Sequence, residues 1–150
     1  MTKVAIDETT PILQIDTKGH KAIINDIMFT NDGKYLVSAS NDKTVRIWDV
    51  KTGKTVRIFR GQIGKGSEGK IYAAALSLDN KFLALGGYQS QWEIRLVNFE
   101  TGKILGLLKG HSNVILGLNF SKDNEMLISG SSDKTARIWD IKTKIMGALT

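Results

Sequence analysis

Short apolar runs separated by polar turn-formers set the pattern of this chain. Residues 23–29, 35–40, 45–49 and 55–60 are of strand length and rich in Val, Ile, Phe and Trp. Between them lie Asn-Asp-Gly at 31–33, Asn-Asp-Lys at 41–43 and Lys-Thr-Gly at 51–53, groups that accept tight or left-handed backbone. The pattern predicts consecutive antiparallel hairpins. No stretch carries the apolar spacing of a long amphipathic helix, so the expected class is all-β with almost no helix.

The same pattern returns along the chain. TVRIWDVKTGK at 44–54 recurs as TARIWDIKTK at 135–144, and each copy follows a histidine at one fixed distance. From His20 to Asp42 is 22 residues and on to Trp48 is 6 more, and the same steps lead from His111 to Asp133 and Trp139. A weaker copy lies between: LSLDNKFLALGG at 76–87 matches FTNDGKYLVSAS at 29–40, and VNFETGK at 97–103 matches WDVKTGK at 48–54. The offset grows from 47 to 49 residues between those matches, which places two extra residues in the turn around 88–92. A fixed period of this kind marks a repeat architecture.

Trp-Asp at the close of a repeat and Gly-His at its opening, as in Gly19-His20 and Gly110-His111, make the chain resemble the WD-repeat (WD40) family of β-propellers over residues 12–150. The resemblance implies three four-stranded antiparallel blades at about 20–60, 68–109 and 111–150. It also implies a hydrogen-bonded chain of His20, Ser38, Asp42 and Trp48 in repeat one, and of His111, Ser129, Asp133 and Trp139 in repeat three. An indole N–H, a hydroxyl and an imidazole inside a packed sheet are costly unpaired, and chained together they pin loop to strand. Repeat two departs from the pattern. Val97-Asn98 replaces Trp-Asp, no histidine precedes its first strand and Gln91 stands near the expected Asp, so this blade is expected to rest on apolar packing.

Three blades fall short of the four to eight that closed propellers use. ILQID at 12–16, after a tail at 1–11, reads as an orphan outer strand that completes a blade the chain does not encode. Terminal sheets would then show apolar faces to water. Leaving roughly 400 Å² uncovered forfeits about 10 kcal/mol at ~25 cal/mol per Å², comparable with a domain's net stability of about 5–15 kcal/mol. Two expectations follow: an incomplete propeller belonging to a larger protein, or a short protein that closes a ring by self-association.

Composition adds little that changes this picture. The chain has no cysteine, which removes disulfide and thiolate chemistry. It has no run of 18 apolar residues and no secretory-type start, so an intracellular, cytoplasmic setting without membrane is the expectation. The net charge of +6 would allow nucleic acid, but Lys54, Arg57, Arg60 and Lys103 fall on or beside outer strands. There they read as a solvated rim that guards sheet edges. No stacked aromatic series argues for nucleic acid.

Candidate chemistry is weak throughout. Ser, His and Asp invite a hydrolase reading, but the trio recurs with Trp at repeat positions and without a glycine-flanked elbow, which favours a structural network and no enzyme. The two histidines have no second ligand at helical spacing, and Asn31-Asp32-Gly33 lacks the rest of a calcium loop, so no metal is expected. The glycine-rich loop at 61–70 has phosphate-loop spacing at Gly64 and Gly69-Lys70, yet Ile71 follows where Ser or Thr would hold magnesium. No cofactor is expected. The resemblance implies a non-catalytic scaffold binding a protein or peptide on its loop face, with Lys21, Ile23, Asn41, Ser112, Val114 and Ser132 as candidate contacts. Tyr88, Gln89 and Trp92 in the longer turn of repeat two join them, although Trp92 equally reads as a plug for the gap at Val97. The alternatives are a self-assembling ring module and a regulatory sensor region attached to a catalytic domain.

Overall fold

The computed structural model describes residues 19–61, 64–143 and 146–149. The expected tail at 1–11 and outer strand at 12–16 lie outside the described residues, as do Gln62 and Ile63 of the glycine-rich loop. Among the described residues, twelve strands form three separate four-stranded antiparallel sheets. The first blade holds β1 (Ile24–Phe29), β2 (Tyr35–Ser40), β3 (Thr44–Asp49) and β4 (Thr55–Arg60), hydrogen-bonded in chain order. The second holds β5 (Ile71–Leu76), β6 (Phe82–Gly87), β7 (Ile94–Asn98) and β8 (Ile104–Leu108). The third holds β9 (Ile115–Phe120), β10 (Met126–Ser131), β11 (Ala136–Asp140) and β12 (Met146–Leu149). The described residues contain no helix.

Turn chemistry explains why the hairpins close where they do. Between the first two strands of every blade a hydroxyl donates to an Asp two residues on: Thr30 to Asp32 and Ser77 to Asp79 at 2.6 Å each, and Ser121 to Asp123. The next position is left-handed in all three, as Gly33, Asn80 and Asn124, residues that accept this backbone. Asn31-Asp32-Gly33 is therefore one of three equivalent hairpin turns. Register repeats as well. Ser38 faces Arg46 and Leu36 faces Trp48 in the first blade, and Ser129 faces Arg137 and Leu127 faces Trp139 in the third.

The blades stack face to face, and the core lies in the two joints between them. At the first joint Val37, Ala39, Val45 and Ile47 of blade one meet Ile71, Leu83, Leu85 and Val97 of blade two, all buried. At the second joint Ala75, Ala84, Ile94 and Leu96 of blade two meet Ile115, Leu127 and Trp139 of blade three. Each blade thus has a leading face, turned toward the preceding blade, and a trailing face turned toward the next. Arg57, read from sequence as part of the solvated rim, instead reaches across the first joint. Its Nη1 donates to the Phe99 carbonyl at 2.5 Å, and its guanidinium lies 5.8 and 6.0 Å from the rings of Phe59 and Phe99.

The second joint depends on one absent side chain. A Cβ at Gly86 would lie 2.6 Å from Ile115 Cγ2 and 3.0 Å from Ile115 Cβ, so only glycine lets β9 approach β6 this closely. Gly86→Ala is expected to destabilise the protein by about 1–3 kcal/mol through overpacking. Urea unfolding measures it, and an unchanged midpoint would mean that this joint has room to spare.

Candidate functional site

Each tetrad is assembled by its blade from four places along the chain. The Asp sits in the turn between the second and third strands, the Ser on the second strand, the Trp on the third and the His in the segment before the first. In blade one His20 Nδ1 lies 2.8 Å from Asp42 Oδ2, His20 Nε2 lies 2.7 Å from Ser38 Oγ, and Trp48 Nε1 donates to the same Ser38 Oγ at 2.8 Å. Blade three repeats the arrangement at 2.7, 2.7 and 2.8 Å with His111, Asp133, Ser129 and Trp139. The indole has only a donor and the carboxylate only acceptors, which fixes the direction of the chain. Trp gives its proton to Ser, Ser gives its proton to His Nε2, and His Nδ1–H gives to Asp.

Two members of this network were missed by sequence reasoning. The hydroxyls of Thr44 and Thr135 donate to the second carboxylate oxygen of Asp42 and Asp133 at 2.6 Å, and the amides of the same threonines donate at 2.9 and 2.8 Å. The amides of Lys21 and Ser112 donate to the first oxygen at 3.0 Å. The available signal was the Asp-Lys-Thr spacing shared by 42–44 and 133–135, with Lys43 and Lys134 both at φ 70°. Burial alone works against the charge on Asp42 and Asp133. The hydrogen bonds from the Thr hydroxyl, the backbone amides and the His ring outweigh it and hold both carboxyls below their ordinary value of 3.8.

The order Ser–His–Asp is that of a hydrolytic triad, but the geometry spends it on structure. Ser38 and Ser129 are each 1% exposed, and each Oγ already accepts the indole proton, so neither presents a nucleophile to solvent. The described residues hold no group of three His, Cys, Asp or Glu side chains placed to bind a metal. In the glycine-rich loop the Glu68 side chain folds against Gly64, which puts a carboxylate where a phosphate cradle would need an open ring of amides. No helix among the described residues is long and apolar enough to cross a membrane.

Blade two replaces the tetrad in two ways. Leu85 and Val97 stand where Ser and Trp do in the other blades, 7% and 4% exposed, so both ends of the polar contact are apolar together and nothing is left unpaired. Apolar packing is only part of the account, because the same blade buries an ion pair. Arg95 Nη2 donates to Glu93 Oε1 at 3.2 Å, the two side chains being 8% and 5% exposed. Glu93 also accepts the Gln91 amide at 3.0 Å, the turn-holding task that Asp42 performs in blade one. Glu93 stands just before β7 and Arg95 on it, two residues apart and in contact, and that spacing was the unread signal.

The loop-bearing end of the blades distributes the candidate contacts unevenly. Lys21, Ser112 and Ser132 are exposed, Asn41 and Val114 are half-buried, and Ile23 is 70% exposed although Val114 is its counterpart. In the longer turn Tyr88 and Trp92 meet edge to face at 5.0 Å. They line a cleft of about 370 Å³ with Lys65, Ser67, Glu68, Gln89 and Ser90. Gln89 is 2% exposed, walled in by the turn, so it is a wall of this cleft and not an open contact. Trp92 precedes β7 whereas Val97 lies near its far end, about 16 Å away along extended chain at ~3.3 Å per residue. Trp92 read equally as an interface anchor and as a plug for the gap at Val97, and its ring packs against that of Tyr88.

Three antiparallel four-stranded sheets stacked face to face, two of them pinned by the same Trp–Ser–His–Asp relay, define a repeat protein of the propeller type. The profile of the WD domain, G-beta repeat, matches residues 11–49 and 102–140, and the chain belongs to this WD40 family. Each match ends on the Trp-Asp of a repeat with a tetrad, and the second takes in β8 of blade two but not β5 to β7. The chain is 32% identical over 124 residues to the anaphase-promoting complex subunit cdc20 of Dictyostelium discoideum, covering 81% of this chain and 23% of that protein. It is 27% identical over 142 residues to a guanine nucleotide-binding protein subunit beta of Oryza sativa subsp. japonica, covering 91% and 36%. Among solved structures, the RRP9 WD40 repeats superpose with a TM-score of 0.78 at 25% identity, over 87% of this chain and 39% of that one. The chain therefore spans only about a quarter to a third of the curated relatives it matches.

Removing the shared hydroxyl in Ser129→Ala leaves the Trp139 indole and the His111 ring each short of a partner. The expected loss is about 1–3 kcal/mol for each group, read by chemical denaturation, whereas Leu85→Ala at the matching site of blade two breaks no hydrogen bond. Because the Asp42 and Asp133 carboxyls are held low, their contribution is present in full above the ordinary value of 3.8 and is lost as pH falls below it. Melting temperatures of the wild type and of Asp133→Asn should converge on acidification from neutral pH. A constant gap between the two curves would show that the ionised carboxylate is not what stabilises the turn.

Proposed function

We propose that this chain is a non-catalytic protein-interaction scaffold whose loop face holds a peptide or protein partner. The observation that carries the reading is the Tyr88–Trp92 pair, two large amphipathic aromatics set edge to face in an open cleft. Aromatics of this kind bury much area at small entropic cost and are favoured interface anchors. Lys65 and Glu68 beside them offer both signs of charge for orienting a polypeptide. Lys21, Ile23, Asn41, Ser112, Val114 and Ser132 extend the same loop face across blades one and three. The relatives carry names of subunits of larger assemblies, which supports a binding task. The enclosure of Ser38 and Ser129 supports the absence of catalysis.

Selection from a displayed random-peptide library should enrich ligands for the intact chain. Tyr88→Ala and Trp92→Ala should each weaken the selected ligand by at least about tenfold, on the order of 1.4 kcal/mol, while the melting temperature holds. Failure to enrich any peptide, or binding indifferent to both variants, would sink this reading.

A further inference from the structure

The net charge of +6 is not spread evenly over the molecule. At the end of the blades opposite the loop face, the turns carry lysines and carboxylates in equal number among the described residues. Several meet there as pairs: Lys34 with Asp32 at 4.0 Å, Lys81 with Asp79 at 3.8 Å, and Lys142 with Glu125. The loop end differs. Lys21 and Lys43 of blade one, Lys65, Lys70 and Lys109 of blade two and Lys134 of blade three stand there, and none forms an ion pair with a described carboxylate.

The carboxylates near this end are engaged elsewhere. Asp42 and Asp133 are filled inside the tetrads by His, Thr and amide donors, and Glu93 is buried against Arg95. Asp26 accepts the Ala74 amide across the first joint at 3.0 Å. Among the described residues of the loop end, Glu68 is the one carboxylate without such a task. The positive excess therefore gathers on the loop face.

Four of its lysines surround the loop and the turn that form the cleft of Tyr88 and Trp92. Lys65 is part of the wall. The Lys70 carbonyl accepts the Tyr88 amide at 3.0 Å, which sets Lys70 beside the aromatic pair. Lys109 Nζ donates to Gln91 Oε1 at 2.7 Å, within the turn itself. Lys43 Nζ reaches from blade one to the Gly64 carbonyl at 2.5 Å, next to Lys65. The ammonium groups of Lys43 and Lys109 are thus held by neutral oxygens, which orient a charge without cancelling it. Like charges gathered around an apolar wall raise the local potential there.

We infer that the partner of this cleft is an acidic polypeptide segment, an inference that rests on the loop face being a protein-binding surface. One large apolar side chain enters the cleft of about 370 Å³ against Tyr88 and Trp92, and Asp or Glu residues on either side of it meet Lys65, Lys70 and Lys109. The aromatic pair supplies buried area, and the lysines select the partner by sign and speed its approach.

Nucleic acid fits the same charge less well. Glu68 lines the cleft, where a phosphate chain would meet it. Tyr88 and Trp92 pack edge to face on each other instead of offering parallel platforms to successive bases. The cations are lysines, point charges without the fork that grips a phosphate in two places.

Fluorescence anisotropy on the full chain tests the inference with three labelled probes. They are a short peptide in which Asp and Glu flank a Leu-Phe core, its counterpart with Lys at every acidic position, and a single-stranded oligothymidine. The acidic peptide should bind tightest of the three, and its affinity should fall about tenfold or more as NaCl rises from roughly 0.05 to 0.5 M. Lys65→Glu combined with Lys109→Glu should weaken it by roughly tenfold. Lys54→Glu combined with Lys122→Glu makes the same change in net charge at the opposite end, beyond a screening length, and should leave binding within about twofold of wild type. All four side chains are exposed, so both double variants should keep the wild-type circular dichroism spectrum. Equal binding of the acidic and lysine peptides, or an equal loss in the two double variants, overturns the inference. Tighter binding of the oligonucleotide overturns it in favour of nucleic acid. A neutral or basic peptide that emerges from the library selection and depends on Trp92 overturns it too, while leaving the scaffold reading intact. Absence of any peptide ligand, acidic or selected, sinks the scaffold reading and the inference together.

Discussion

A β-sheet that is apolar on both faces is stable only between two neighbours, and the rest of this structure follows from that constraint. Val37 and Ile47 point one way from the first blade while Leu36 and Trp48 point the other, because side chains alternate along a strand. Blade two is sandwiched in this way among the described residues, and the stacking direction is the axis along which the repeats follow one another. Glycine at 86 and alanine at 75 and 84 set how closely the sheets approach, and Ile115 fills the space they leave. The core is accordingly two joints rather than one centre, as expected of repeat proteins whose units contact mainly their neighbours.

The tetrads solve a different problem within each blade. The loop that enters the sheet lies outside the strand ladder, and the His–Asp contact ties it to the second turn across 22 residues of sequence. The tie is polar and buried, and it works because every donor has an acceptor in order. Blade two shows that the same fold tolerates another solution. Leu85 and Val97 delete the polar contact as a pair, and Glu93 with Arg95 restores a carboxylate to the turn. What the repeat requires is satisfaction of the buried groups rather than a particular set of residues.

Function then falls to what the scaffold leaves outside. Blade two has no tetrad, and the turn that shapes the cleft of Tyr88 and Trp92 is held instead by the Gln91 amide donating to Glu93 and the Gly69 amide donating to the Tyr88 carbonyl. The second blade, freed of its histidine, is also the blade with the longer turn, and the candidate anchors gather there. Family membership names the architecture and leaves the partner to the site itself.

For the described residues, the sequence by itself determined the four strands of each blade, the turn positions and the repeat, because these rest on local alternation and on turn residues whose preferences act over a few positions. Strand starts differ from the reading by a single residue in blade one, where β1 opens at Ile24 and β3 at Thr44. The members of the tetrads were legible by spacing because two copies carried them in the same order. Only the tertiary structure decided the rest. That Gln89 is walled in, that Arg57 spans a joint and that Glu93 pairs with Arg95 depend on neighbours distant in sequence or on which face of a strand is enclosed. The burial of Ile115 beside the exposure of Ile24 makes the same point at equivalent positions: one residue type, one place in the repeat, and a fate set by whether another sheet lies against it.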